Sequence, residues 1–452
     1  MDDGSLYYAV IENNVARLTE LLQQGGNVDE FYEDTMNISS KSLLHVCCGK
    51  GNVECLKVLI EHGAQLDVRD KWGQTPLMYS VIIQFPEVTK VLLDANADLV
   101  TCQDRYGKAP LHCAVEAENE ELVQLLLQYG ADINIRCHDG MTPLMMCCTA
   151  DTGGNKTGLM RLLLEAGAMI DLKDFRGKRT ALHVAASSGN TQAVEMLIAA
   201  GADTNEIDKT LRTPLTHAVF AGVRGPEIHE NFMKIISLLV SAGADVNTNV
   251  TESCNPLLSS SLLKSEPMIN YFLSMGADPN VKSPLGVTPA LVTASTGDQQ
   301  SLRPLIFYNA DLTIKGSVYK RRRKIEYIID PFELAYMEGY LDLCVLMTQA
   351  GYNVHKKAQL FVRDLKSLSS GTTPEMSSDE VSLTLASPEN IPADYKSILK
   401  WLIDRACNPR SLFEEAVFLI RHCLGCRVVS GVDSLPLPMS VRRSVLLTHV
   451  LT

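Results

Sequence analysis

The amino-acid sequence predicts an all-α solenoid built from stacked helix pairs. Three observations support this prediction. A short motif of the type "LLQYGADIN" recurs at steps of 33 to 42 residues, most of them 33 or 34, and a second motif of the type "TPLMYSV" follows it by about a dozen residues. The segments that follow carry apolar residues at helical spacing. Two motifs in constant phase indicate repeats that bury their apolar faces only against neighbouring repeats.

The repeats are marked by the alanine of the first motif. It stands at Ala64, Ala97, Ala131, Ala168, Ala202, Ala244, Ala277 and Ala310. A weaker unit, "SLYYAVIENNVARLTELLQQGGNVD", precedes the array, and "DPFELAYMEGYLDLCVLMTQAGYNV" is a degenerate last repeat. We therefore expect about ten helix-turn-helix repeats over residues 1–355. Insertions at 151–158, 222–230 and 316–327 are expected to be loops.

Each repeat contains signals for two helices. Thr-Pro opens the first helix, because Thr caps free amides and Pro suits the first helical position. Leu77 in "TPLMYSV" is expected to face the neighbouring helix. The second helix carries an amphipathic stripe, exemplified by Leu122, Leu125 and Leu126, and Gly130 ends it in a left-handed conformation.

The turns between repeats carry candidate binding residues. They read "DKWGQ", "DRYGK" and "DFRGK", in which Asp and Gly suit the turn and the residues between them project outward. Exposed aromatic and guanidinium groups dominate binding hot spots. The substrate-binding candidates are Trp72, Arg105, Tyr106, Phe175 and Arg176. The alternative is that they are variable turn residues partly packed against neighbouring turns.

The cysteines and histidines predict packing rather than chemistry. Thirteen cysteines are scattered along the chain, and several fall in apolar helical runs, where free Cys packs as a small hydrophobe. His45, His112 and His183 stand in different repeats and are expected to hydrogen-bond adjacent turns. The Cys423–Cys426 pair lacks a second pair for zinc. We expect no catalytic constellation, no metal site and no cofactor.

Composition excludes some partners. A net charge of −12 and a pI near 5.4 argue against a nucleic-acid partner, because that affinity rests on neutralising phosphates. The acidic start lacks a signal peptide, and no run of about 18 apolar residues predicts a membrane span. A cytoplasmic location is expected. The basic run "KRRRK" at 320–324 is either a solvated loop or a nuclear-localisation signal.

The C-terminal quarter does not follow the repeat. Residues 356–393 are a Ser/Thr/Pro-rich linker, and residues 394–408 are a bridging helix or terminal half-repeat. In residues 409–452, Ser411 and Glu414 have the spacing of a capping box that opens an apolar helix. The "LPLP" at 435–438 follows, and its two prolines hold the backbone extended.

Two family resemblances follow from these residues. The repeats resemble ankyrin repeats, and the tail "SLFEEAVFLI…LPLP" resembles the SOCS box. The overall resemblance is therefore to the ankyrin repeat and SOCS box protein family. It implies an elongin-C-binding helix face and a segment that selects a cullin-5-type scaffold. The implied elongin-C-binding residues are Leu412, Ala416, Leu419 and Ile420, and the implied cullin-binding residues are Leu435, Pro436, Leu437 and Pro438. Ala416 departs from the family, which often has Cys there.

The resemblance implies a non-enzymatic substrate-recognition adaptor. The ankyrin array would hold an unknown protein substrate, and the tail would recruit elongin-B, elongin-C and a cullin with its RING protein. One alternative is a binding scaffold whose C-terminal helices only cap the solenoid. A second alternative is an enzyme or metal protein that uses the Cys and His residues.

Overall fold

The computed structural model describes residues 6–33, 40–149, 156–222, 226–248, 255–320 and 325–354, together with positions 398, 400 and 402. The chain divides into two compact units, Met1–Ala244 and Asp245–Thr452. The linker at 356–393, most of the bridging segment and all of residues 409–452 lie outside the described residues.

The described part of the first unit contains seven helix pairs, a short hairpin and a 3₁₀ turn. The helices are α1 (Leu6–Ile11), α2 (Val15–Gln23), α3 (Leu43–Lys50), α4 (Val53–Glu61), α5 (Pro76–Ile82), α6 (Pro86–Ala95), α7 (Pro110–Glu116), α8 (Glu120–Gln128), α9 (Pro143–Cys147), α10 (Lys156–Glu165), α11 (Ala181–Ser188), α12 (Thr191–Ala199), α13 (Pro214–Ala221) and α14 (Pro226–Ser241). Strands β1 (Phe31–Glu33) and β2 (Ser40–Ser42) pair antiparallel, and the 3₁₀ turn spans Ala97–Thr101.

The described part of the second unit contains three helix pairs and a second hairpin. Its helices are α15 (Pro256–Leu262), α16 (Glu266–Ser274), α17 (Pro289–Thr296), α18 (Gln299–Phe307), α19 (Pro331–Glu338) and α20 (Leu341–Gln349). Strands β3 (Gly316–Lys320) and β4 (Ile325–Ile329) form the hairpin.

The two helices of a repeat differ in how much of their surface is buried. First helices pack on first helices of the next repeat, as α5 packs on α7, and second helices do the same, as α4 packs on α6. All side chains from Pro110 to Val115 in α7 are buried, whereas α8 buries Leu122, Val123 and Leu126 on one face. The predicted stripe is therefore confirmed, with Leu125 half-buried at its edge.

The predicted helix boundaries are also confirmed. Thr75 Oγ1 accepts the Met78 N–H, and Pro76 occupies the first position of α5, where Leu77 is fully buried. After α8, Gly130 adopts a φ of +84°. A residue with a Cβ is disfavoured at such an angle, so glycine lets the chain leave the helix and enter the next turn.

Buried histidines join consecutive repeats, as the sequence predicted. Their Nε2 atoms contact carbonyl oxygens 29 residues ahead, and the pairs are His45–Gln74 (3.0 Å), His112–Met141 (3.1 Å) and His183–Arg212 (3.1 Å). The Nδ1 atoms accept backbone N–H groups at the start of their own helices, from Ser42, Ala109 and Thr180. An Nδ1 acceptor leaves Nε2 as the proton-bearing donor of the neutral ring.

All three predicted loops are wrong in part. The insertion at 151–158 runs into α10, which begins at Lys156. Residues 316–327 were expected to be a loop, but Gly316–Lys320 pairs antiparallel with Ile325–Ile329. The Val, Tyr and Ile residues of "GSVYK" and "IEYII" favour a strand, and the loop prediction neglected that preference. The insertion at 222–230 likewise contributes to α14, which begins at Pro226. The hairpin of β1 and β2 was not anticipated.

Cysteines in the described repeats pack as apolar groups. The buried members of the predicted set are Cys47, Cys48, Cys113, Cys147 and Cys148. Burial raises the pKa of Cys113 to about 12 and that of Cys147 to about 12. These thiols therefore remain protonated near neutral pH and contribute packing. Within the described residues, no helix is both long and apolar enough to cross a membrane.

The last helix pair shares a continuous apolar core with the preceding pair, α17 and α18. Phe332 stacks on Tyr352 with ring centroids 4.6 Å apart, and the Tyr352 hydroxyl donates to Asp330 at 2.9 Å. Leu402, one of the three described positions beyond residue 354, is fully buried in the same apolar cluster, and Ile398 packs against it. The bridging segment therefore contacts the degenerate last repeat at these positions.

Candidate protein-binding surface

Five tight turns lie between consecutive repeats of the first unit, at residues 70–74, 104–108, 137–141, 174–179 and 208–212. An aspartate closes four of them from within. Asp104 Oδ1, for example, accepts the N–H groups of Tyr106 and Lys108, both at 2.8 Å. Equivalent contacts are made by Asp70, Asp174 and Asp208. Because each carboxylate is held by its own turn, the tip is pre-shaped before any partner binds.

Backbone hydrogen bonds join these turns into one row. The donor–acceptor pairs are Arg105 N–H to Trp72 C=O (2.9 Å), His138 N–H to Tyr106 C=O (2.9 Å), Phe175 N–H to Asp139 C=O (2.9 Å) and Lys209 N–H to Gly177 C=O (2.7 Å). We call residues 70–74, 104–108, 137–141, 174–179 and 208–212 the fingertip row. The side chains of the row are thereby held in fixed order on a hydrogen-bonded backbone.

Glycine permits this close approach of one turn to the next. Gly140 has a φ of +79°, and a Cβ built on it would lie 2.4 Å from Phe175 N. Gly107 is equally constrained, since its Cβ would lie 2.6 Å from His138 N. A side chain at either position would force the turns apart, so these glycines are part of the row's architecture.

All five predicted binding residues lie on the fingertip row and are exposed. Tyr106 is 63% exposed, Phe175 51% and Trp72 36%, and the side chains of Arg105 and Arg176 also reach solvent. The structure thus brings together residues that the sequence places more than one hundred positions apart. Their role in binding stays a prediction.

Two aromatic members of the row, Trp72 and Phe175, are partly covered by neighbouring cations. Lys71 Nζ lies 4.2 Å from the ring centroid of Trp72, and Arg136 Cζ lies 5.1 Å from that of Phe175. Such cation–π contacts hold the rings in place while leaving an edge in water. The alternative of packed turn residues is therefore partly right for these two rings, which are oriented as well as exposed.

Sequence reasoning missed two members of the row, His138 and Asp139. Asp139 Oδ1 forms an ion pair with Arg176 Nε at 2.6 Å, which joins the third and fourth turns through side chains. Their positions in the turn match those of Arg105 and Tyr106 in the preceding repeat. That common offset was the available signal, but the turn "CHDGM" lacks the opening Asp used to recognise the others.

The fifth turn contains the most perturbed carboxylate of the row. Burial alone would raise the pKa of Asp208, but hydrogen bonds from the Arg212 N–H, the Thr210 hydroxyl and the His217 ring outweigh it and lower the pKa to about 2. His217 Nε2 lies 2.9 Å from Asp208 Oδ2. This carboxylate is therefore ionised at neutral pH and is satisfied by its own turn and the next helix.

Comparison with known families matches this architecture. Three copies of the model for ankyrin repeats match residues 6–101, 100–174 and 152–250, which together cover more than half of the chain. The chain is an ankyrin-repeat protein. Ankyrin arrays are quasi-one-dimensional stacks that present an extended binding surface, so the array is a protein-interaction module.

Several curated proteins share the ankyrin region but differ in what they are called. The chain is 26% identical to the B-cell lymphoma 3 protein homolog of Mus musculus over 257 residues, covering 56% of this chain and 48% of that protein. It is 33% identical to an L-asparaginase of Dirofilaria immitis, covering 47% of this chain and 29% of that protein. It is 27% identical to the E3 ubiquitin-protein ligase KEG of Arabidopsis thaliana, covering 56% of this chain and 15% of that protein.

The chain therefore spans less than half the length of these relatives. Ankyrin proteins with such different names show that the repeat does not determine the function, which must be argued from particular surfaces. The predicted elongin-C-binding and cullin-binding residues of the tail, at 412–420 and 435–438, lie outside the described residues. The described ankyrin repeats contain no group of three His, Cys, Asp or Glu side chains arranged to hold a metal ion.

An aromatic cavity of about 270 Å³ lies at the N-terminal end of the ankyrin array. Tyr7 stacks on Tyr32 with ring centroids 4.9 Å apart, and Lys41 Nζ lies 4.9 Å from the ring centroid of Tyr79. Lys50 also lines the cavity. Sequence reasoning missed this cavity because strands β1 and β2, which carry Tyr32 and Lys41, were not predicted.

Proposed function

We propose that this chain is the substrate-recognition adaptor of a cullin-RING ubiquitin ligase that contains elongin-B and elongin-C. The ankyrin array binds the target protein through the fingertip row, and residues 409–452 recruit the ligase core. The chain itself catalyses nothing. It raises the effective concentration of a target lysine near the charged ubiquitin carrier, and it acts in the cytoplasm.

The observation that carries this proposal is the order of two unlike elements. A rigid row of exposed aromatic and guanidinium groups is followed by the tail elements "SLFEEAVFLI" and "LPLP". In the first tail element, the four-residue spacing of Leu412, Ala416 and Ile420 predicts one apolar helix face. A segment that only sealed the stack would not need a second, proline-fixed element after it.

The relatives support the proposed role of the ankyrin array more than the proposed role of residues 409–452. KEG is named an E3 ubiquitin-protein ligase, but the chain covers 15% of that protein, so this similarity supports shared repeats. The tail half rests on the resemblance to the SOCS box.

A scaffold with a capping tail is the second candidate. Leu402 supports it, because this residue is fully buried against the last helix pair. That contact concerns the bridging segment at 394–408 rather than residues 409–452. The two functions therefore depend on different parts of residues 394–452, and one experiment distinguishes between them.

The test is co-purification of elongin-B and elongin-C with the full-length tagged chain. We expect Leu412→Asp to abolish recovery, since a buried carboxylate on an apolar docking face is strongly unfavourable. The matched control is Arg421→Asp, which helical periodicity places on the opposite face. Equal recovery with both variants, or no recovery with the unmodified chain, would sink the ligase proposal and favour the scaffold.

A second measurement tests the cullin segment separately. We expect Leu435→Asp and Pro436→Gly together to remove the cullin from the purified complex while elongin-B and elongin-C remain. Loss of all three partners together would contradict the division of labour between the two tail elements.

A further inference from the structure

The charge of the fingertip row is opposite to that of the chain. The whole chain carries a net charge of −12. The five turns of the row contain eight lysines and arginines against five aspartates. The basic residues are Lys71, Arg105, Lys108, Arg176, Lys178, Arg179, Lys209 and Arg212. A local excess of cations in an acidic protein creates a positive potential that attracts an anionic ligand to this surface.

The aspartates of the row are less exposed to solvent than its lysines and arginines. Four of the five aspartates, Asp70, Asp104, Asp174 and Asp208, are 1–7% exposed and accept N–H groups of their own turns. Their charge is used to close the turns. The remaining one, Asp139, is half-buried and contacts Arg176. The solvent-facing charge of the row is therefore basic.

Three cations of the row are placed to meet a partner. Arg105, Lys178 and Lys209 are exposed, and none of their side chains makes an ion pair with the residues that the structure describes. The other cations of the row contact neighbouring side chains. Lys108 Nζ, for example, lies 2.6 Å from Glu116 Oε1. Arg105 lies in the second turn and Lys209 in the fifth, so the free cations span most of the row.

Exposed aromatic rings lie among these cations along the row. Trp72 precedes Arg105, Tyr106 follows it, and Phe175 lies one turn before Lys209. Rings held by cation–π contacts supply apolar area at low entropic cost, and unpaired cations supply charge. A ligand complementary to this pattern carries both carboxylates and apolar side chains along an extended backbone.

We propose that the fingertip row binds an acidic, extended segment of a partner protein, with Arg105, Lys178 and Lys209 contacting its carboxylates. This inference deepens the proposed function, because it names the class of target that the array holds. Charge complementarity across the row fixes the register of the segment and accelerates its association.

A peptide suits the row better than a nucleic acid. A nucleic-acid surface needs an unbroken run of cations with few carboxylates nearby, because every nucleotide brings a phosphate that must be neutralised. Asp139 and its contact with Arg176 stand in the middle of the row. A peptide can place an uncharged residue at that point, whereas a phosphate backbone cannot omit a charge.

The test is selection of random 12-residue peptides displayed on phage against the immobilised full-length chain. Three proteins are compared: the unmodified chain, Arg105→Glu/Lys209→Glu in the row, and Lys90→Glu/Arg161→Glu as the matched control. Lys90 and Arg161 are exposed cations on the second helices α6 and α10, so both variants change the net charge equally. Far-UV circular dichroism checks that all three are folded.

We expect peptides rich in Asp and Glu from the unmodified chain and the control, and their loss from the row variant. For the most enriched peptide, the row variant should weaken binding on the order of tenfold by fluorescence anisotropy, and added salt should weaken binding to the unmodified chain. The proposal is overturned by neutral or basic enriched peptides, by equal binding to both variants or by no enrichment. Tighter binding of a 20-nucleotide single-stranded DNA than of the enriched peptide would overturn it in favour of a nucleic acid.

Failure of this inference is distinguishable from failure of the ligase proposal. The row variant is expected to recover elongin-B and elongin-C as well as the unmodified chain does, because its changes lie in the array. A chain that selects acidic peptides but recovers no elongin keeps the acidic-segment inference and loses the ligase function. A chain that recovers elongin-B and elongin-C but selects no acidic peptides keeps the ligase function and loses the acidic-segment inference.

Discussion

Protonation of His183 is expected to destabilise the ankyrin array. The ring is fully buried, its Nδ1 accepts the Thr180 N–H at 3.2 Å, and its Nε2 contacts the Arg212 carbonyl oxygen at 3.1 Å in the next repeat. Burial, followed by the neighbouring His217 ring 5.4 Å away, lowers the pKa of His183 from 6.5 to about 4. A proton on Nδ1 would also point at the N–H that this atom now accepts.

The sign and size of the effect follow from the difference between the two pKa values. Between pH 6.5 and 4 the unfolded chain binds a proton at this site and the folded chain does not. The contribution of the neutral His183 ring to the free energy of unfolding is therefore complete above pH 6.5. It falls as the pH is lowered and levels off below about pH 4. At about 1.4 kcal/mol per pKa unit, the His183 contribution to the loss is about 3 kcal/mol, and most of it is reached by pH 4.5.

The assay is urea unfolding of the full chain at pH 7 and at pH 4.5, followed by far-UV circular dichroism. His183→Gln keeps a donor for the Arg212 carbonyl but has no titrating ring, so its stability should fall by about 2 kcal/mol less than that of the unmodified chain. His62→Gln, at an exposed position whose ring contacts the Val58 carbonyl of its own helix, controls for loss of a histidine. Identical losses in the unmodified chain and His183→Gln would refute the reasoning.

Three further outcomes are expected. Gly140→Ala should lower the free energy of unfolding by about 1–3 kcal/mol in urea titrations, because its φ is +79° and the new Cβ would meet Phe175 N. Gly130→Ala is the comparison, because a Cβ there has open space and adds only backbone strain. Cys113 should react with iodoacetamide on the order of a hundredfold more slowly in the native than in the urea-unfolded chain, as measured by mass spectrometry, since burial holds its pKa near 12. Ala416→Cys should tighten binding of elongin-B/C about two- to fivefold in calorimetry, since a larger side chain buries more apolar area; unchanged or weaker binding would contradict a close-packed docking face.

The local architecture of a repeat could be predicted because its signals are short-range. Thr75 and Pro76 determine where α5 begins, and Gly130 determines where α8 ends, whatever lies elsewhere in the chain. The repeated position of His112 even predicted a contact with the next turn, since a constant period turns an inter-repeat contact into a sequence pattern.

The missed features depend on insertions that interrupt the period. The hairpin of β3 and β4 arises where the chain departs from the repeat, so the repeat pattern contained no information about it. The cavity beside Tyr32 depends on the other hairpin for the same reason. The excess of basic side chains was also hidden in the sequence, because no turn contributes more than three lysines and arginines and the net charge of the chain is negative.

Adjacent residues in one turn separate the stabilising role of the fingertip row from its binding role. Asp104 is 7% exposed, and its Oδ1 accepts two backbone N–H groups at 2.8 Å. Arg105 next to it is exposed and contributes only its backbone N–H to the row, which donates to Trp72. The row is therefore built from inward residues that shape it and outward residues that its shape does not require.

This separation predicts opposite results from two neighbouring substitutions. Asp104→Ala leaves two turn N–H groups without their acceptor and should cost about 1–3 kcal/mol of unfolding free energy in urea titrations. Arg105→Ala keeps the backbone bond and should change that free energy by less than about 0.5 kcal/mol, while weakening any acidic peptide that the chain selects. A large loss of stability in Arg105→Ala would mean that the exposed cation shapes the turn. In that case its charge could not be changed independently of the fold, and the selectivity of the row would have to come from the aromatic rings.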